Sequence, residues 1–91
     1  MALEWFEPKN QCNIRERGID FASAEAFEWP TAIVLEDTRH DYGEQRFRAT
    51  GMLHGKLHVL VFALRHDNIR IISLRRANKR EEKNYVQTSQ A

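Results

Sequence analysis

Ninety-one residues are enough for one domain, which folds on one compact core burying roughly 60–65% of its unfolded surface. With 42% hydrophobic residues and nine aromatics the chain is not disordered, and its longest mainly apolar run without Asp, Glu, Lys or Arg, Leu57 to Leu64, is far short of the roughly 20 residues that cross a bilayer. The net charge of +1 hides an asymmetry: residues 1–44 hold four basic and ten acidic side chains, net −6, whereas residues 45–91 hold ten basic and three acidic, net +7. The C-terminal half is therefore set to attract phosphate or an acidic protein, unless the acidic half neutralises it within the fold.

The opening Met-Ala-Leu-Glu-Trp-Phe-Glu has two Glu and no basic residue, so it does not read as a secretion signal. The single cysteine, Cys12, has no partner for an internal disulfide, and the expected compartment is the reducing cytoplasm.

In chain order, Leu3 to Phe6 reads as a short strand. Glu7-Pro8 opens a helix, with proline in the first turn where its missing N–H is harmless, and Gly18 stops that helix after Arg17. Asp20 is a candidate N-cap for a second helix over Phe21 to Glu28, with Phe21, Ala24 and Phe27 on one side. Thr31 to Glu36 is rich in β-formers, and Asp37 to Gly43 reads as a polar loop. Residues 44–53 and 56–65 form a hairpin about His54-Gly55, and the almost wholly apolar Leu57 to Leu64 suits a central strand. His66-Asp67-Asn68 turns the chain into a last strand, Ile69 to Arg75. Asn78 and Glu81 have capping-box spacing at the start of a helix reaching Val86, with 87–91 a frayed tail. The expected fold is α+β: a short N-terminal strand, two helices, a four-stranded antiparallel sheet and a C-terminal helix, all one domain over 1–91.

The basic side chains concentrate in one stretch. Arg65, Arg70, Arg75, Arg76, Lys79, Arg80 and Lys83 lie within nineteen residues, and most are arginines, whose planar fork suits phosphate. Strand alternation places Val59, Val61, Ala63 and Arg65 on one face, Ile71, Ser73 and Arg75 on one face, and Ile72, Leu74 and Arg76 on the other. Should Arg65 and Arg75 project to the same side, they frame a phosphate-sized site. The alternative is a solvated basic edge that deters sheet-to-sheet pairing. His40 sits in Arg39-His40-Asp41-Tyr42-Gly43-Glu44, where acid, base and phenol are close together. It reads either as a general base or as part of a locally hydrogen-bonded turn. The four histidines have no metal-ligand spacing and Cys12 completes no set, so no metal and no cofactor are expected. The glycines are single and at turns, which gives no phosphate loop.

Three blocks of this sequence resemble a known family. Glu4-Trp5-Phe6-Glu7-Pro8-Lys9 with Asn13-Ile14-Arg15, Gly18, Phe21, Ala24 and Phe27, then Arg39 to Phe47, then Arg70-Ile71-Ile72-Ser73-Leu74-Arg75-Arg76-Ala77 with Arg80, Glu81 and Tyr85, are similar to BrnT-type toxins of type II toxin–antitoxin pairs. The resemblance spans about residues 4–86. Three positions depart from the family's pattern: Glu7 where Asp is frequent, Arg48 where an aliphatic residue is frequent, and Leu74 where a small residue is frequent. What the resemblance implies is a RelE-like fold and metal-independent endoribonuclease activity that inhibits translation and growth. It also implies a ribbon-helix-helix antitoxin partner, BrnA-like, in a heterotetramer that reaches DNA only through the antitoxin, with no membrane partner.

Such cleavage uses the RNA's own 2′-hydroxyl as nucleophile, so the protein must supply positive charge, a proton acceptor and a proton donor. Arg65 and Arg75, with Arg46 or Arg76, suit the charge, and arginine stays protonated, so none of them is the base. His40, Glu44 or Glu81 suits the acceptor, and Tyr85 or protonated His40 the donor. Arg70, Arg76, Lys79 and Arg80 suit RNA binding. Two rivals stay open: a non-catalytic basic module that holds RNA or protein, and an inactive family member that keeps only antitoxin binding.

Overall fold

The computed structural model describes residues 2–89. Strand β1 (Leu3–Glu4) leads into helix α1 (Glu7–Arg17), two short 3₁₀ turns (Phe21–Ala26 and Trp29–Thr31), strands β2 (Ile33–Glu36), β3 (Arg46–Leu53), β4 (Lys56–Arg65) and β5 (Asn68–Arg76), and helix α2 (Lys79–Ser89). The strands form one sheet in the order β1-β5-β4-β3-β2. Every pairing is antiparallel except that of β1 with β5, so the sheet has five strands and is mixed, not four-stranded.

The apolar β4 is central, as its composition requires. Leu53 lies opposite Lys56, leaving His54 and Gly55 as a two-residue turn with φ of 52° and 77°. Two successive left-handed residues make the turn whose twist matches the strands it joins. Between β4 and β5 the register slips: Val61 faces Ser73 but Phe62 faces Ile71, leaving Ile72 as an extra residue. This bulge breaks the simple alternation. Ile71 goes to the core with Phe62 and Leu74, while Ser73 and Arg75 take the opposite face, so Ile71 does not share a face with Arg75.

Helix α1 ends at Gly18, whose φ of 69° lets its N–H donate to the Ile14 carbonyl at 2.8 Å. Its buried residues are the polar Asn10 and Asn13. Asn13 Nδ2 donates to the carbonyls of Ile19 and Leu74, both at 2.9 Å, and Asn10 Oδ1 accepts from the Phe21 N–H at 2.8 Å. These amides fasten α1 to β5 beyond the reach of the two-residue β1, satisfying backbone groups that burial would otherwise orphan.

The expected second helix is instead a 3₁₀ turn. Phe21, Ala24 and Phe27 recur every three residues, which matches the 3₁₀ period, so all three drop into the core on one line. They pack on Ala49, Leu53, Leu60, Phe62, Ile71 and Leu74. Trp29 stands edge-on to Phe27 and Phe62, with centroids at 4.8 and 5.4 Å. Gly51 admits this packing: a Cβ there would lie 2.7 Å from Phe27 Cζ and 2.9 Å from Ala32 Cβ. Because Pro30 and Thr31 belong to the second 3₁₀ turn, β2 begins at Ile33.

At α2 the Asn78 side chain accepts from the Glu81 N–H at 2.8 Å and Glu81 Oε1 accepts from the Asn78 N–H at 2.9 Å, the reciprocal box expected from the spacing. Residues Gln87–Ser89 continue the helix, whereas 90–91 of the expected tail lie outside the described residues.

Candidate functional site

Phe21, Ala24 and Phe27 cover one face of the sheet, and the opposite face carries Arg46, Arg48, Arg70 and Arg75. Arg46, Ala63 and Arg70 lie directly opposite one another across β3, β4 and β5, followed by Arg48, Val61 and Ser73, then Thr50, Val59 and Arg75. At ordinary strand spacing the Cα atoms of Arg46 and Arg70 are about 10 Å apart, flanking the fully buried Ala63. Lys9 is exposed on α1, yet partial desolvation, and then the charges of Arg46 and Arg70, push its ammonium below the usual lysine range. Lys9 of α1 thus lies close enough to Arg46 of β3 and Arg70 of β5 for both charges to act on it. Lys9 was not singled out in the sequence, although a cation in the first turn of a helix opposes the helix dipole and so carries a signal.

Arg46 is held from below. Its guanidinium carbon lies 4.0 Å from the centre of the Tyr42 ring. Its Nε is buried without a hydrogen-bond partner, Glu44 Oε1 standing off at 3.6 Å. The Tyr42 hydroxyl donates to Asp37 Oδ2 at 3.3 Å, and Arg39 grips the same carboxylate through Nε and Nη2, both at 2.8 Å. Asp37 is buried, and the Arg39 hydrogen bonds hold its pKa far below the carboxylate range. His40 stands edge-on to Tyr42, centroids 5.6 Å apart, which places it at the rim of the same cationic end. The loop does bring acid, base and phenol together, around Arg46.

At the opposite end, Arg75 and Glu81 form a bidentate pair, Nη1 to Oε1 at 2.7 Å and Nη2 to Oε2 at 2.8 Å. The Arg75 hydrogen bonds hold the Glu81 carboxyl at about 2. A carboxylate so stabilised is a poor proton acceptor near neutrality. The expected Arg65–Arg75 frame is not formed. Arg65 faces Asn68 and Arg75 faces Val59, six positions apart along β4, or about 20 Å. Arg65 is exposed at the turn end of the hairpin.

The Tyr85 hydroxyl donates to the Thr31 carbonyl at 2.9 Å, tying α2 to the second 3₁₀ turn just ahead of β2. Beneath it is a hollow of about 460 Å³ whose lining includes Leu35, Arg48, Arg80, Glu81 and Tyr85. Lys79 and Arg80 are exposed in the first turn of α2, while Arg76 projects to the face opposite Arg75. Arg48, noted in the sequence only as a departure, lies one step along β3 from the cationic end and adds to the pull on Glu81. Among the described residues no three His, Cys, Asp or Glu side chains converge as metal ligands would.

A family model described as a ribonuclease toxin, BrnT, of type II toxin–antitoxin systems matches residues 5–81. The chain is also similar to a ribonuclease toxin from Brucella abortus, BrnT, solved at 1.1 Å: the TM-score is 0.69 and the identity 32%, covering 87% of this chain and 99% of that one. No curated protein matches the chain.

Proposed function

The chain belongs to the BrnT family of ribonuclease toxins of type II toxin–antitoxin systems, and from that premise we propose that its RNA-cleaving centre is the end of the open sheet face where Lys9, Arg46 and Arg70 meet. The observation that carries this reading is the proximity of the three cations, with the buried Nε of Arg46 left without a hydrogen-bond partner and Glu44 standing off at 3.6 Å. A buried donor without a hydrogen bond is costly in a resting protein and is satisfied by an anionic ligand.

The chemistry we assign is metal-independent. Lys9 in its neutral form takes the proton of the RNA 2′-hydroxyl. The 2′-oxygen bonds to the neighbouring phosphorus, the bond from phosphorus to the 5′-oxygen breaks, and that oxygen leaves with a proton from protonated His40. Arg46 and Arg70 neutralise the charge that accumulates on the phosphate oxygens as the new bond forms. Lys9 suits the base because partial desolvation and two neighbouring guanidinium groups lower its affinity for its own proton, while its exposure leaves it open to RNA. The products are a 2′,3′-cyclic phosphate and a 5′-hydroxyl. Arg48, Lys79 and Arg80 extend the positive surface along which the rest of the RNA lies.

The RelE-like character of the fold and action in the cytoplasm belong to the same reading. So does neutralisation by a ribbon-helix-helix antitoxin, whose acidic or amphipathic segment covers the basic face and blocks RNA. The test is incubation of purified protein with RNA in EDTA, followed by analysis of the new ends. Cleavage with cyclic-phosphate and 5′-hydroxyl ends is expected. Activity that EDTA abolishes and a divalent ion restores contradicts the mechanism.

A further inference from the structure

A second concentration of positive charge lies outside the cleavage centre. Arg75 and Arg76 are consecutive on β5, so one strand end presents a cation to each face. On the Arg76 side is an open hollow of about 530 Å³ between the end of α1 and the β3–β4 turn, and its lining includes Arg17, Asp20, His54, Lys56, His58 and Arg76. Arg17, Lys56 and Arg76 make no ion pair among the described residues. Asp20 is the only carboxylate in the lining, and its Oδ1 already accepts from the Ala22 N–H at 2.9 Å and from Asn10 Nδ2 at 3.1 Å.

His58 adds a different chemistry. It is buried, 6% exposed, with Nδ1 2.8 Å from the Lys56 carbonyl oxygen. A carbonyl only accepts, so Nδ1 carries the proton, and in the neutral ring Nε2 keeps a free lone pair. Burial, helped by Arg76, His54 and Lys56, disfavours the charged imidazolium. The hollow therefore sets three cations beside a buried neutral imidazole that can accept a hydrogen bond. A phosphodiester and the adjacent ribose 2′-hydroxyl match this set, the phosphate meeting the cations and the hydroxyl donating to His58.

We propose that this hollow is a second RNA subsite, holding a sugar–phosphate unit remote from the cleaved bond. The proposal rests on the ribonuclease reading above. RNA leaving the open face past Arg75 reaches Arg76 at the end of the same strand.

The test is single-turnover cleavage of a twelve-nucleotide RNA and of a dinucleotide by wild type, Arg76→Ala, Lys56→Ala and His58→Phe, with melting temperatures as folding controls. Arg76→Ala and Lys56→Ala should each raise the half-saturating protein concentration for the long RNA about tenfold, the loss of one charged phosphate contact, leaving its maximal rate and dinucleotide cleavage unchanged. His58→Phe should abolish the preference of the hollow for ribose, measured by replacing single nucleotides of the long RNA with deoxynucleotides. Unchanged saturation in Arg76→Ala and Lys56→Ala overturns the proposal. So does retention of RNA with loss of the antitoxin complex, which would assign the hollow to an acidic peptide. If wild type cleaves neither substrate, the ribonuclease reading has failed by itself. Inorganic phosphate then decides the hollow: a His58 ring NMR shift that disappears in Arg76→Ala supports an anion site, and no shift overturns it.

Discussion

Arg75 and Glu81 are joined by two parallel hydrogen bonds of 2.7 and 2.8 Å, and the same Glu81 carboxylate closes the first turn of α2 on the Asn78 N–H at 2.9 Å. The arginine that looks most like a phosphate ligand in the sequence is thus a clamp between the last strand and the last helix. Each side chain is partly screened from solvent, 31% and 22% exposed, so the pair is stronger than a surface ion pair. Arg75→Ala and Glu81→Ala are each expected to cost about 1–3 kcal/mol of stability. The double variant should lose less than the two losses combined, because they share one interaction. Urea denaturation of the four proteins measures this; additive losses would show that the pair is not coupled.

The same pair sets an acid limit. Glu81 has its folded pKa lowered from 4.5 to about 2, so the unfolded chain takes up its proton first as pH falls. The stabilisation is complete above about pH 4.5 and is lost as pH falls towards 2. Glu81→Gln should show a shallower fall in melting temperature over that window than wild type, and equal slopes would contradict it.

The Arg46 guanidinium rests on the Tyr42 ring, so in the proposed mechanism Tyr42 positions Arg46 for cleavage. Tyr42→Ala removes the platform and should slow single-turnover cleavage roughly tenfold, in keeping with a cation–π contact of about 1 kcal/mol plus lost positioning. Tyr42→Phe keeps the ring and loses only the 3.3 Å hydrogen bond to Asp37, so most of the rate should remain. Equal loss in both variants would shift the role from the ring to the hydroxyl.

Gly51→Ala tests the core. The new methyl would meet the Phe27 ring at 2.7 Å, backed by Ala32, and the ring must move. A loss of about 1–3 kcal/mol is expected from overpacking, read as a lower melting temperature. Phe27→Leu in the same background should recover part of it by making room.

Much of this fold was legible because its signals are local. Gly18 stops α1, His54-Gly55 makes the hairpin, and Asn78 with Glu81 caps α2. Each needs only a few neighbouring residues to be read. What escaped depends on distant pairing or on a period read wrongly. The spacing of Phe21, Ala24 and Phe27 suits a 3₁₀ turn as well as an α-helix, and three residues per turn won. The bulge at Ile72 reassigns a face with no sequence mark, and β1 pairs in parallel with a strand more than sixty residues away. At the site, the arginines of β5 were visible as a cluster, but register alone separates Arg65 from Arg75. Register likewise pairs Arg46 with Arg70 across Ala63. Lys9 joins them only because α1 lies along β5.

The most direct test of the cleavage centre is the single-turnover rate of Lys9→Arg on RNA, measured beside Lys9→Ala and Lys83→Ala with RNA affinity and melting temperature for each. Arginine keeps the positive charge but cannot give up its proton, so it separates a proton acceptor from a mere cation. Lys9→Arg and Lys9→Ala should both fall about 10²–10³-fold in rate with little change in RNA affinity, while Lys83→Ala, exposed on α2, keeps the wild-type rate. A Lys9→Arg protein that cuts RNA as fast as wild type would contradict the role given to Lys9. If Lys9→Ala loses only affinity, the converging cations hold RNA without cutting it.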